Sequence, residues 1–259
     1  MGRPVGPVGK IGAMPRFDPA TPLVHPLPDP DRAEVRPGLG YATADGRELA
    51  MDLYLPAGRA PGSPPPAVLL VHGEADPALL RGVRTWGQYT GWGRLLAAEG
   101  LAAVVAEHRA VAEAGLEAVA AEVATALAAV HDRAGELGVD PDRLAVAAFS
   151  AGVPLTAAIL SRVPVPLRCA ALCYGPPGDL QPTPGLPPFL LVRAGQDYPD
   201  LNQSIDQFAA AAEAAGVPVD LVDLPGAHHA FDTVDDTDAS RAAIRRVLGF
   251  LGEHLSERR

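Results

Sequence analysis

The chain has 259 residues, 48% of them apolar and 20% charged, with 31 acidic against 21 basic side chains and a formal charge of −10. That length suits one α/β domain around one sizeable core, and the composition excludes a largely disordered chain. The acidic balance disfavours nucleic acid or an anionic membrane surface as a partner.

The opening stretch, MGRPVGPVGKIGAMPRFDPATPLVHPLPDPD, is punctuated by proline and glycine and has no apolar h-region. It reads as an extended arm over residues 1–36, and not as a secretory signal. No apolar run reaches spanning length, so a cytoplasmic protein with no membrane partner is the expectation. Residues 37–259 read as a single domain without internal repeats.

That domain begins with GYATADGRELAMDLYLP, two strands around Asp45 and Gly46 with the alternation of a half-buried antiparallel pair. AVLLVHG (67–73) is a buried strand, YTGWGRLLAAEG (89–100) a helix stopped by glycine, and LAAVVAEHR (101–109) a second buried strand. From Ala112 to Leu137, the positions Leu116, Val119, Val123, Leu127, Val130, Ala134 and Leu137 recur at intervals of three and four, predicting one long amphipathic helix. RLAVAAFS (143–150) is the third buried strand and leads into a helix from AGVPLTAAILSRV. RCAALCYG (168–175) and PFLLVRAG (188–195) follow, separated by a Pro-rich loop. A helix over LNQSIDQFAAAAEAAG, a strand over VPVDLVDLPG and a helix over DASRAAIRRVLGFLGEHL close the chain.

Strands apolar on both faces and alternating with helices predict a mostly parallel sheet covered on both sides, with an antiparallel N-terminal edge. Cys169 and Cys173 share one face of their strand, about 13 Å apart, which excludes a disulfide between them. Buried free thiols suit a reducing compartment.

Ala148-Phe149-Ser150-Ala151-Gly152 joins a buried strand to a helix. A serine at such a turn presents its Oγ above the sheet, and the next amide, that of Ala151, is placed to meet a developing oxyanion. Alanine stands where the G-x-S-x-G pattern has its first glycine, and Pro154 falls in the first helical turn, where no N–H bond is lost. A serine also makes an ordinary helix N-cap, so this segment alone does not decide between the two roles. A nucleophile needs an acid and then a base downstream, at strand ends. Asp197 follows the strand ending in Arg193-Ala194, and His229 follows the last strand, so the order fits. Asp179, Asp200 and Glu107 compete for the role of the acid, while His228 reads as a loop neighbour. His25, His108, His131 and His254 read as surface or loop positions. The second oxyanion amide is expected after the first core strand, at Glu74, with His72 holding that loop. Trp86, Tyr89, Trp92, Tyr198 and Phe231 lie where they could line a pocket. The dense acids at Asp232, Asp235, Asp236 and Asp238 match no metal-site spacing and read as a solvated loop capping the last helix. No nucleotide-binding glycine motif is present, and no cofactor or metal is expected.

Taken together, MDLYLP, LLVHGE, YTGWGRLLAAEGLAAVVAEHR, AFSAG, RAGQDYPDLN and GAHHAFD resemble the α/β-hydrolase superfamily, from about Tyr41 onward. Within it the chain is similar to small esterases and dienelactone-hydrolase-like proteins. The resemblance implies an eight-stranded sheet, a triad of Ser150, Asp197 and His229, and no cofactor. Glu74 stands where many relatives carry a longer glycine run. Ser150 stands where true dienelactone hydrolases use cysteine, which turns the expectation toward ordinary ester hydrolysis. The expected activity is cleavage of small, soluble acyl esters. A peptidase or thioesterase with the same triad, or a non-catalytic protein binding a small ligand, are the alternatives, and a homodimer is compatible with the sequence.

Overall fold

Runs of Ala, Val and Leu too apolar to face water on either side become the middle of a sheet. The computed structural model describes residues 18–43, 45–60, 62–160 and 165–256. Among these, the strands form one eight-stranded sheet in the order β1-β2-β4-β3-β5-β6-β7-β8. They are β1 (Ala33–Ala42), β2 (Glu48–Pro56), β3 (Ala67–Val71), β4 (Ala102–Ala106), β5 (Leu144–Phe149), β6 (Leu167–Cys173), β7 (Phe189–Ala194) and β8 (Val219–Leu224). β1 and β2 run antiparallel at one edge, and β3 to β8 are parallel. This is the expected architecture of a mostly parallel sheet with an antiparallel N-terminal edge.

The period of two divides the core cleanly. Ala145, Ala147 and Phe149 of β5 enter one apolar layer, and Leu144, Val146 and Ala148 enter the other. The first layer is closed by α2 (Gly87–Ala98) and by the last helix, Asp238–Ser256. The second is closed by Leu116–Asp132, Gly152–Leu160 and Pro199–Ala214. Cys169 and Cys173 are free and buried in the same layer, as their spacing required.

The long helix expected from Ala112 to Leu137 is instead three: α3 (Val111–Ala114), α4 (Leu116–Asp132) and α5 (Ala134–Leu137). Gly115 breaks it at φ +81° and ψ +154°, values no helix contains, and Arg133 breaks it again at φ −100°. The apolar stripe survives the breaks from Val119 to Leu137, whereas Leu116 at the first break is 40% exposed.

Residues 1–17 of the predicted arm lie outside the described residues. Leu23 packs, buried, against Gly91 of α2, and β1 already begins at Ala33, inside the span read as arm. Two short helices, α1 (Pro77–Leu80) and Phe231–Val234, follow β3 and β8. In chain order the remaining helices are α6 (Gly152–Leu160), α7 (Pro199–Ala214), α8 (Phe231–Val234) and α9 (Asp238–Ser256). Among the described residues, no helix is long and apolar enough to cross a membrane.

Candidate active site

The loops after β3, β5, β7 and β8 meet at the carboxyl end of the sheet. Ser150 sits between β5 and α6 at φ +53°, a region that is costly for a residue with a Cβ. Its backbone is pinned on both sides: its N–H donates to Cys173 O (3.0 Å), and its C=O accepts from Val153 N–H (3.0 Å). The turn is possible because Gly152 has no side chain. A Cβ there would stand 2.4 Å from the Val71 carbonyl oxygen, so α6 begins pressed against the end of β3.

Asp197, just past β7, has a side chain with no exposed surface. One of its oxygens accepts from the Tyr198 N–H (2.8 Å), and the other lies 2.6 Å from His229 Nδ1. A carboxylate can only accept, so Nδ1 carries the proton and Nε2 offers its lone pair. Ser150 Oγ lies 2.7 Å from that Nε2, and its O–H donates to it. The structure therefore joins Ser150, His229 and Asp197 in one hydrogen-bond chain. The competing acids are elsewhere: Asp179 and Asp200 are exposed, and Glu107 accepts from Arg84 and the Ala50 N–H. His228 leans on Asp235 (2.9 Å) and does not join the chain.

The loop after β3 lies against Ser150, since a Cβ on Gly73 would be 3.0 Å from the serine Cβ. The Gly73 N–H donates to the Tyr89 hydroxyl (3.1 Å). Its C=O accepts from His72 Nδ1–H (2.7 Å). A trans peptide is planar, so fixing that carbonyl on His72 turns the Glu74 N–H the opposite way. The Glu74 side chain is exposed and accepts from the Val111 and Ala112 N–H groups (2.9 and 3.3 Å), capping α3 and tying the loop to it. Ala151, the other expected amide, lies in the turn that starts α6, where N–H groups lack helical acceptors.

His108 is not a surface position. It is buried and stacked on His72, with ring centroids 3.5 Å apart and planes at 8°, and its N–H donates to His72 Nε2 (3.2 Å). Burial, and then the neighbouring His108, hold His72 well below its ordinary pKa; burial lowers His108 as well.

The five aromatics divide. Trp92 and Phe231 are fully buried in the core, Tyr89 supports the Gly73 loop, and Trp86 packs 6.0 Å from Tyr89. Tyr198 alone is open to solvent, at 48%. The solvated acidic loop also needs correction. Asp236 and Asp238 are solvent-facing partners of Arg241, but Asp232 is completely buried. Its carboxylate accepts from Trp92 Nε1 (2.9 Å), Gln88 Nε2 (3.0 Å) and the Tyr174 O–H (2.9 Å). Reading residue by residue missed this cluster because its donors are 58 to 144 positions away. Among the described residues, no three His, Cys, Asp or Glu side chains are grouped to hold a metal ion.

The family model BD-FAE matches residues 51–161, which include Gly73 and Ser150 but neither Asp197 nor His229. No curated protein matches the sequence. Among solved structures, a bacterial heroin esterase superposes with a TM-score of 0.74 at 22% identity, covering 88% of this chain and 86% of its own. The esterase of Pyrobaculum calidifontis superposes at 0.72 with 21% identity, over 88% and 87%. Esterase 2 of Thermogutta terrifontis does so at 0.70 with 22% identity, over 89% and 98%. Strand order, the turn at Ser150 and these superpositions agree that the chain has the α/β-hydrolase fold.

Proposed function

We propose that the protein is a serine hydrolase that cleaves carboxylic esters through an acyl-enzyme on Ser150. The observation that carries this reading is the continuous chain Ser150–His229–Asp197, at 2.7 and 2.6 Å, on a serine held in a left-handed turn. Ser150 Oγ attacks the ester carbonyl carbon as His229 Nε2 takes its proton. The tetrahedral intermediate collapses, and His229 passes that proton to the departing alcohol. Water then attacks the acyl carbon with His229 again as base, releasing the acid and restoring Ser150. Asp197 holds the imidazole in the right tautomer and stabilises its cationic form. The Ala151 and Glu74 N–H groups take the oxyanion, each contributing on the order of 3–4 kcal/mol to lowering the barrier.

Small acyl esters are the proposed substrates, and the esterases among the structural neighbours support trying esters first. Hydrolysis of p-nitrophenyl esters of increasing acyl length, with Ser150→Ala beside the wild type, tests the assignment. Turnover in the folded variant is expected to drop by at least about 10⁴-fold. Undiminished hydrolysis by Ser150→Ala would remove the serine from the mechanism. A wild type that prefers matched thioesters or amides would move the same triad to a thioesterase or a peptidase.

A further inference from the structure

We infer that Asp232 is a positioning residue for the base: with Gln88, Trp92 and Tyr174 it fixes the turn that carries His229 and the angle at which the imidazole meets Ser150. The inference rests on reading His229 as the base.

Three observations converge on it. The first is the set of donors. Tyr174 O–H donates to one Asp232 oxygen, while Trp92 Nε1–H and Gln88 Nε2–H donate to the other. Gln88 Nε2 also donates to the Tyr174 hydroxyl (2.6 Å), which closes the ring of contacts. The Asp232 backbone C=O accepts from the Val24 N–H (2.9 Å), so the start of α8 is tied to α2, to the end of β6 and to the segment before β1. Burial pushes the Asp232 carboxyl up, and the three donors oppose that by favouring the ionised form. Apolar side chains of similar volume commonly serve stability as well as a buried carboxylate does, so its presence here points to geometry.

The second is backbone strain. The described non-glycine residues with positive φ are Ser150 (+53°), Tyr174 (+40°) and Ala230 (+58°). They are the serine, the residue whose ring packs on His229, and the residue that follows His229. Such conformations persist where the surroundings over-determine them. Asp232, two residues after Ala230 and bonded to Tyr174, supplies that constraint to both.

The third is the imidazole's own freedom. The bond to Asp197 fixes Nδ1 but leaves the ring able to swivel about the Nδ1···Oδ2 line. The Tyr174 ring, centroid 5.0 Å away at 68° to the imidazole, removes that swivel. Tyr174 is itself held by Asp232 and by Phe231, whose ring lies 5.6 Å away at 89°.

An asparagine at 232 must fail this arrangement, because donors occupy both carboxylate oxygens and an amide has one acceptor oxygen. The test compares wild type, Asp232→Asn and Tyr174→Phe by steady-state hydrolysis of p-nitrophenyl acetate. It also follows the low-field proton NMR resonance of His229 Nδ1–H. We expect kcat to fall about tenfold to a hundredfold in Asp232→Asn and several-fold in Tyr174→Phe, with KM within about twofold and the resonance shifted or broadened in both. Tyr174→Phe removes only one oxygen and keeps the ring, so it decides the matter if Asp232→Asn does not fold. Wild-type kcat with an unmoved resonance in folded Tyr174→Phe overturns the inference. So does a loss of thermal stability alone. A wild type inactive on every ester would sink the esterase reading, while the resonance, which needs no substrate, would still decide the positioning role.

Discussion

Asp197 illustrates how much a single carboxylate can specify. Both of its oxygens are engaged, and the one facing His229 sets which nitrogen is free to accept the serine proton. Replacing it by asparagine offers the imidazole an N–H and favours the wrong tautomer. Asp197→Asn is therefore expected to lower kcat on p-nitrophenyl acetate by roughly 10³–10⁴-fold with little change in fold, checked by kinetics and circular dichroism. A loss below tenfold would point to another acid. The sequence offered Asp197 at a strand end beside Asp179, Asp200 and Glu107, and the fold brings Asp197 to His229. The buried role of Asp232 was not, because a residue inside an acidic run looks solvated until its distant donors are brought to it.

At the scale of elements, the β5–α6 turn depends on one close approach. In the run Ala148-Phe149-Ser150-Ala151-Gly152, the alanine methyl is accommodated in the core layer beneath the sheet. The second small position has no such room, since a Cβ at Gly152 would meet the Val71 carbonyl at 2.4 Å. Backbone cannot swing aside as a flexible side chain can, so α6 would have to move and carry Ser150 with it. Gly152→Ala should cost about 1–3 kcal/mol in urea unfolding and lower kcat by more than that loss explains. Wild-type stability and rate would show that the approach is not a constraint. The broken helix from Val111 to Leu137 makes a related point. Its periodicity was visible and its buried stripe formed, but the break at Gly115 is a backbone choice that periodicity does not report.

For the whole molecule, the stacked His72 and His108 link the geometry of the candidate site to stability. Both are buried and held below the ordinary histidine value of about 6.5, so the folded state binds fewer protons than the unfolded chain below that pH. Their contribution to stability is full above about pH 6.5 and is lost as pH falls below it. While both stay neutral in the folded state, each adds to the steepness of that decline. Urea midpoints between pH 7.5 and 5.5 should show the decline, and His108→Gln should make it shallower, since that change removes one buried imidazole and relieves the other. A flat profile in the wild type would mean that the folded protein accepts those protons without cost.

The sequence by itself determined the layered fold, the separation of the two cysteines, and the placing of Ser150, Asp197 and His229 at successive strand ends. These follow from periodicity and from where a chain must turn, both of which are local properties. Only the tertiary structure decided that His108 stacks on His72, that Tyr89 and Glu74 hold the loop beside Ser150, and that Asp232 is buried under three donors. Each depends on side chains far apart in the chain meeting in a space that has no water to satisfy them. A buried polar group is identified by its partners, and partners are a property of packing.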